Sequence, residues 1–261
     1  MQMAYTREQA EHFNNECLRV LRDLQQLQLG IVVEGQPLDP ASRLREHLLH
    51  GAARRVGVIR RAIQNIYSLF PPDTTRPLQQ DALADVQINL HAFVMNLHGL
   101  YDNWAWAFVL QHNLECAIGD RQRVGLFIDA TRSRLPRELR DYLSTPATTE
   151  WHQKYAKSFR DALAHRIPPY IPPAQFTPED GRRYNELENE KVECIRARRW
   201  DRLDAVWNEQ AELGVPCLYF LHAYTEDTEP SPLYLHPQLL ADGSAVVEFG
   251  NLFLEHWRRG A

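Results

Sequence analysis

The stretch that decides the fold runs from residue 83 to residue 108 and reads LADVQINLHAFVMNLHGLYDNWAWAF. Its large apolar side chains recur every three or four positions, at Leu83, Val86, Leu90, Phe93, Leu97, Leu100, Trp104 and Phe108. This is the repeat of an α-helix that buries one face. The spacing predicts one long helix over residues 77–114, with Pro77 in its first turn and a bend near Gly99.

Similar apolar periodicity flanks this helix on both sides. It predicts further helices over residues 5–29, 41–70, 136–144, 147–166, 178–198 and 200–213. Thr6 and Gln9 form a capping-box pattern at the start of the first helix, and Gly30 is expected to end it before a turn-rich connector over residues 31–40. Residues 115–135 are ambiguous between strand and irregular structure.

The sequence changes character after residue 215. Residues 216–224 and 233–248 are rich in strand formers, and Asp242-Gly243 between apolar runs is a hairpin signal. Residues 249–258 are expected to form a last helix. The sequence therefore predicts a mainly α protein, with a helical bundle over residues 1–170. Residues 171–261 would add a helical hairpin and a small α/β extension with a β-hairpin.

Composition narrows the class of protein. The chain has 261 residues, 44% of them hydrophobic, which is enough to build a sizeable core. Its net charge of −5 opposes attraction of nucleic acid by the whole surface but allows a local basic groove. No glycine-rich phosphate loop or GxSxG motif is present, and we predict neither a metal nor a cofactor.

The cysteines and the N-terminus bear on location. Cys17, Cys116, Cys194 and Cys217 lack CxxC spacing, which argues against a zinc site or a disulfide framework and favours a reducing compartment. The N-terminal residues lack the layout of a signal peptide, and no apolar run is long enough to cross a bilayer. We therefore expect a cytoplasmic protein without a membrane partner.

A second informative stretch, KSFRDALAHR at residues 157–166, ends a predicted helix just before Pro168-Pro169. At about 100° per residue, Asp161 and His165 share the outward face, and Arg160 lies about 140° from His165. Arg160 and His165 could therefore act on one substrate only in a groove between two helices. A two-fold dimer would supply such a groove.

These residue types suit the cleavage of a phosphodiester without a metal. Arg160 can hold a phosphate oxygen through its planar fork, and His165 can transfer a proton near neutral pH. Asp161 could orient the imidazole. In RNA the 2′-hydroxyl of the substrate would be the nucleophile. The alternative is an ordinary Asp–His surface pair at a helix end, where the helix dipole favours a protonated His.

The motif Arg160-Asp161-x3-His165 resembles the signature of the HEPN family (higher eukaryotes and prokaryotes nucleotide-binding domain). That signature is an Arg, commonly followed by a polar residue, with a His four to six residues later near the end of a core helix. The likeness covers mainly residues 77–170, and in its widest extent it begins at residue 41. The greater length of this chain and the Pro168-Pro169 pair depart from the smallest members.

The resemblance implies an up-and-down helical bundle that forms a homodimer, with paired motifs lining a cleft. It implies a metal-independent endoribonuclease, with Arg160, His165 and Asp161 as catalytic residues. Lys157, Arg166 and Asp102 are the accompanying candidates for substrate binding. A role as a toxin or defence component would add an antitoxin or regulatory partner. Other members of the family bind nucleotides without catalysis or are purely structural, and both alternatives remain open here.

Two further groups of polar residues stand out. His91, His98 and Asp102 share one stripe of the long helix. This stripe is either a site where Asp102 neutralises Arg160 or a metal ion, or a polar strip inside the bundle. Asp102 is then the expected ion-pair partner of a buried Arg160. A basic stripe on the second helix could track a phosphate backbone or be a solvated face: Arg43, His47, His50, Arg54 and Arg61.

Overall fold

The structure is a computed structural model that describes residues 5–222 and 231–259. It is 74% helix and 4% strand. In chain order the α-helices are α1 (Arg7–Gly35), α2 (Arg43–Arg45), α3 (Arg54–Leu69), α4 (Gln80–Gln111), α5 (Glu115–Ile118), α6 (Asp129–Arg132), α7 (Arg137–Leu143), α8 (Pro146–Trp151), α9 (Ser158–His165), α10 (Pro178–Arg196), α11 (Trp200–Ala211) and α12 (Leu235–Arg259).

Shorter elements join these helices. Two π-helical segments, Glu46–Ala53 and His152–Lys157, connect α2 to α3 and α8 to α9. Arg121–Arg123 is a single 3-10 turn. Strands β1 (Tyr219–His222) and β2 (Ser231–Tyr234) pair antiparallel, with Tyr219 opposite Tyr234. The prediction of a mainly helical protein with a small sheet near the C-terminus is confirmed.

The core lies between four long helices, because each of them presents an apolar stripe at helical spacing. α4 packs along α3, and α1 packs against both α3 and α12. The side chains at the centre are completely buried: Leu24, Ile63, Leu97, Trp104 and Phe249. Among the described residues, no helix combines the length and the apolar character needed to cross a bilayer.

The predicted end of the first helix at Gly30 is wrong, since α1 continues to Gly35. Ile31 extends the buried stripe by one turn, and Gly30 lies inside the helix beneath Leu254. α4 is shorter than predicted at both ends and is one unbroken element through Gly99. Residues 115–135, left open by the sequence, form short helical turns and loops with no strand among them.

The predicted hairpin at Asp242-Gly243 is also wrong, because both residues lie inside α12. Leu239, Val246 and Phe249 are buried on one side of that helix. A methyl group at Gly243 would lie 2.8 Å from Cγ1 of Val20, so the glycine lets α12 approach α1 closely. The first predicted strand region, residues 216–224, contains β1. The second, residues 233–248, overlaps β2 only at Leu233 and Tyr234 and otherwise lies in α12, and residues 223–230 lie outside the described part.

α10 and α11 form the predicted helical hairpin. Thr177 and Asp180 make a capping box, with Pro178 in the first turn. Residues 175 and 215 close the base of this hairpin through two backbone hydrogen bonds of 2.8 and 2.9 Å. By contrast, α12 belongs to the main core. Grouping residues 171–261 as one extension therefore separates α12 from the helices that it contacts.

Candidate functional site

A cavity of about 440 Å³ lies beside α4, where the loop over residues 122–128 and the π-helical segment His152–Lys157 face each other. α9 continues that segment and brings Arg160 to the cavity wall. We call this space the Arg160 cavity. Its lining residues are His98, Tyr101, Asp102, Gln122, Val124, Gly125, Leu126, Phe127, Ile128, Arg132, Thr149, His152, Gln153, Ala156, Lys157 and Arg160.

Arg160 is held at the wall by two polar contacts. Its Nη1 lies 3.1 Å from Oδ1 of Asp161, and its Nη2 lies 3.4 Å from Nε2 of His98. The adjacent Phe159 is buried in the core and anchors this turn of α9. Nε of Arg160 has no hydrogen-bond partner among the described residues. The hydrogen-bonding capacity of the guanidinium is thus only partly used by its contacts in the structure.

His98 connects Arg160 to a carboxylate. Its Nδ1 lies 3.5 Å from Oδ2 of Asp102, one helical turn further along α4. With the proton on Nδ1 facing Asp102, Nε2 is free to accept from the Arg160 guanidinium. Asp102 therefore acts on Arg160 through the imidazole. The direct Asp102–Arg160 ion pair that the sequence predicts is absent from the described residues, because His98 lies between them.

The cavity wall also carries a stacked aromatic pair. The rings of Phe127 and His152 are 3.6 Å apart and nearly parallel, at 10°. Burial, followed by the nearby His98 and Lys157, lowers the pKa of His152 to about 4. His152 is therefore neutral at pH 7. It begins the π-helical segment, and π-helical turns inside α-helices are frequent at functional sites.

Charged side chains around the cavity are mostly compensated. Its wall has three cations, Arg132, Lys157 and Arg160, and one carboxylate, Asp102. Two further carboxylates pair with the arginines, Asp129 with Arg132 and Asp161 with Arg160. Lys157 makes no ion pair within the described residues and is exposed. The free positive charge of this site thus resides mainly on Lys157.

The residues predicted from the motif fall into two groups. Lys157, Arg160 and Asp102 line the cavity. His165 and Arg166 are exposed at the end of α9 and are not part of its wall.

Asp161 is half-buried and contacts Arg160, so the predicted Asp161–His165 bond is not formed among the described residues. The Asp161 carboxylate pairs with the neighbouring Arg160 guanidinium instead.

Sequence reasoning missed Phe127 and His152. They lie 25 residues apart and meet only through the fold, so no spacing rule points to them. His98 and Asp102, in contrast, are four apart on one helix, a spacing that brings side chains together. Within the part of the chain that the structure describes, no three His, Cys, Asp or Glu side chains converge as metal ligands would.

Comparison with known proteins adds no family assignment. No family model matches this sequence, and searches of curated proteins and of solved structures gave no match.

Proposed function

We propose that this chain binds a phosphodiester of RNA at the Arg160 cavity and cleaves it without a metal ion, as a HEPN-like homodimer. The observation that carries the proposal is the Asp102–His98–Arg160 chain at the cavity wall. A carboxylate behind an imidazole that faces the reaction site is the usual arrangement of a general base. An arginine beside it supplies the donors for phosphate.

The steps follow from these contacts. A phosphate that binds the Arg160 guanidinium displaces this guanidinium from His98. Nε2 of the His98 ring is then free. The freed imidazole, oriented by Asp102, accepts the proton of the 2′-hydroxyl, and the 2′-oxygen attacks phosphorus. The bond from phosphorus to the 5′-oxygen breaks, leaving a 2′,3′-cyclic phosphate. A protonated second imidazole gives its proton to the departing 5′-oxygen.

His165 is our candidate for that second imidazole. It lies on the end of α9, outside the cavity of its own protomer. A second copy that placed its α9 end at the cavity mouth would bring His165 to the departing oxygen. The dimer is thus part of the proposal, and light scattering of the purified protein tests it directly.

Cleavage of single-stranded RNA in EDTA tests the chemistry. We expect His98→Gln and His165→Gln each to lower the rate by about 100-fold or more, the usual contribution of a general acid or base. Arg160→Gln removes donors that stabilise the charge on phosphate and should lower the rate by about 100-fold or more as well. His12→Gln is the matched control, because His12 is exposed on α1. The assignment fails if His165→Gln cuts as fast as the wild type, or if the products lack cyclic phosphate ends.

A second candidate function is nucleotide binding without catalysis. The observation in its favour is that His165 lies outside the cavity that Arg160 lines. In that case mononucleotides should raise the melting temperature of the wild type and not of Arg160→Gln, while no RNA is cleaved. Stabilisation of both proteins alike would argue against binding at Arg160.

A further inference from the structure

A second cavity, of about 540 Å³, lies on the neighbouring flank of α4, facing α2, the π-helical segment Glu46–Ala53 and the start of α3. We call it the basic groove. Its lining residues are Arg43, Glu46, His47, His50, Gly51, Arg54, Arg55, Val58, Asn96, Asn103 and Arg121. It includes four of the five residues of the basic stripe in the sequence; Arg61 is not among them.

The groove concentrates positive charge that the rest of the protein does not neutralise. Four arginines and one glutamate line it, a formal excess of three in a chain whose net charge is −5. Among the described residues, only Arg43 of these arginines pairs with a carboxylate, that of Glu115 at 2.8 Å. On the α10–α11 hairpin, in contrast, Arg183 and Arg202 each contact two glutamates.

Arg55 is fixed in the groove by neutral groups. Its Nε donates to Oδ1 of Asn103 at 2.8 Å, and its Nη1 donates to Oδ1 of Asn96 at 3.1 Å. Amide oxygens orient a guanidinium without cancelling its charge. Gly99 makes room for it, because a methyl group there would lie 2.5 Å from Cζ of Arg55. The lack of a side chain at this position of α4 thus leaves room for a cation.

His47 adds a hydrogen-bond donor. Its Nδ1 lies 3.2 Å from Nδ2 of Asn103, which places the ring proton on Nε2. The ring stacks on Trp106, with centroids 5.7 Å apart at 15°. The guanidinium groups of Arg43 and Arg121 lie 5.5 and 5.6 Å from the same indole. Cation–π contacts of this kind hold an arginine without neutralising it.

Residues that are neighbours in sequence line the two spaces: Asn103 and Arg121 line the basic groove, and Asp102 and Gln122 line the Arg160 cavity. The two spaces therefore lie on neighbouring flanks of α4. We expect an extended chain of phosphates to run from one to the other.

We propose that the basic groove binds the phosphate backbone of single-stranded RNA next to the phosphate held at the Arg160 cavity. The choice of RNA rests on the proposed function; the attraction of phosphates rests on the groove alone. Arginines contact phosphates irrespective of base sequence, and each contact releases counterions, so binding depends on salt but not on sequence.

The experiment measures binding of a labelled 12-nucleotide RNA in EDTA by fluorescence anisotropy, with 2′-O-methyl groups in place of the 2′-hydroxyls so that the RNA cannot be cleaved. The double variant Arg54→Gln/Arg121→Gln removes two exposed cations that have no carboxylate partner in the described chain. We expect about tenfold weaker binding at 0.1 M salt, and a slope of log affinity against log salt that is smaller by about 1.4, or 0.7 per contact on a single strand. The control Arg183→Gln/Arg196→Gln, with the same change in net charge, should bind like the wild type.

A dinucleotide and a mononucleotide complete the design. They are short enough to occupy the Arg160 cavity alone, so the double variant should bind them like the wild type and Arg160→Gln should not. A wild type that fails to bind the 12-nucleotide RNA, or a double variant that binds it equally well, overturns the proposal. Equal loss of mononucleotide and RNA would assign the groove to free nucleotides instead and would also overturn it.

The cleavage assay, run with unmodified RNA on the same proteins, separates this proposal from the cleavage chemistry. If the RNA is bound through Arg54 and Arg121 but never cut, the groove stands and the nuclease assignment falls. If wild type and double variant bind the RNA with equal affinity and cut it at the same rate, the nuclease assignment stands and the groove proposal falls.

Discussion

At the scale of single residues, Arg160 has the contacts of a group that is available to a ligand. Its carboxylate partner is the next residue in the chain, and both side chains are about 30% exposed (31% and 28%). Ion pairs as accessible as this contribute little to stability. We expect Arg160→Gln to change the free energy of unfolding in urea by less than about 1 kcal/mol. A loss of several kcal/mol would indicate a structural role.

Asp242 is a residue whose environment differs sharply from its sequence context. It is 1% exposed and accepts hydrogen bonds from Trp151 Nε1 at 2.7 Å and Gln238 Nε2 at 2.8 Å, and none of the described cations forms an ion pair with it. Burial raises its pKa to about 7, and the two hydrogen bonds only partly oppose this. Between the ordinary carboxyl pKa and pH 7, the folded state therefore binds more protons than the unfolded state.

The free energy of unfolding should consequently fall as pH rises from about 4 to 7. The loss caused by ionising Asp242 is complete above pH 7. Asp242→Asn keeps an acceptor for Trp151 and removes the ionisation. We expect it to be more stable than the wild type by on the order of 2–4 kcal/mol at pH 8, with the gap closing towards pH 4. Denaturant unfolding at several pH values measures this.

Asp73→Asn, at an exposed carboxylate, is the control and should leave the pH profile unchanged. A constant difference between Asp242→Asn and the wild type over this pH range would contradict the argument.

The sequence identified some of these residues and not others. Arg160 and Lys157 were found through the motif, and His98 and Asp102 through their spacing on one helix. Asp242 was misread because Asp-Gly is a local turn signal, whereas its burial depends on α1 and Trp151. Contacts between distant segments leave no mark on local spacing.

At the scale of elements, the packing of α12 on the core depends on two glycines. A methyl group at Gly250 would lie 2.6 Å from Leu27 Cδ2 and 3.1 Å from Cζ2 of the fully buried Trp104. We expect Gly250→Ala to lower the free energy of unfolding by about 1–3 kcal/mol through overpacking. Thermal or urea unfolding followed by circular dichroism measures it.

Gly181 on α10 provides the matched control. Its nearest neighbour to a new methyl group is 3.9 Å away, so the space is open. Gly181→Ala should therefore raise stability by about 0.5–1 kcal/mol, the helix-propensity difference. If both substitutions were stabilising, the close approach of α12 to the core would be contradicted.

Helices with regular apolar stripes were predictable to within a few residues, as α4, α10 and α11 illustrate. The start of α12 was not, because its glycines and Asp242 look like a turn until tertiary packing is included. The two π-helical segments were also missed. An extra residue in one turn barely alters the apolar spacing that identifies a helix.

At the scale of the whole molecule, the described residues form one main core and a satellite. The buried side chains of the α10–α11 hairpin, Leu187, Cys194, Leu203 and Val206, are separate from the main hydrophobic cluster, whereas Phe249 and Phe253 of α12 belong to it. Removing the α10–α11 hairpin and removing α12 should therefore have different effects on the stability of the remaining protein.

Replacing residues 177–213 by a short Gly/Ser linker should preserve the fold, because residues 175 and 215 already pair. We expect a change in melting temperature of less than about 5 °C, equivalent to about 1–2 kcal/mol. Deleting residues 235–261 should abolish cooperative unfolding, since it exposes the apolar faces of α1 and α3. Calorimetry of the two shortened proteins measures their stability. If removing the hairpin destabilised the protein more than removing α12, the division into a main core and a satellite would be refuted.

The stacking of His47, Arg43 and Arg121 around Trp106 has a practical consequence. An indole in contact with cations changes its emission when an anion draws those cations away. Trp106 is therefore a built-in optical reporter of groove occupancy. The difference between titrations of the native chain and Trp106→Phe isolates its signal from that of the other five tryptophans.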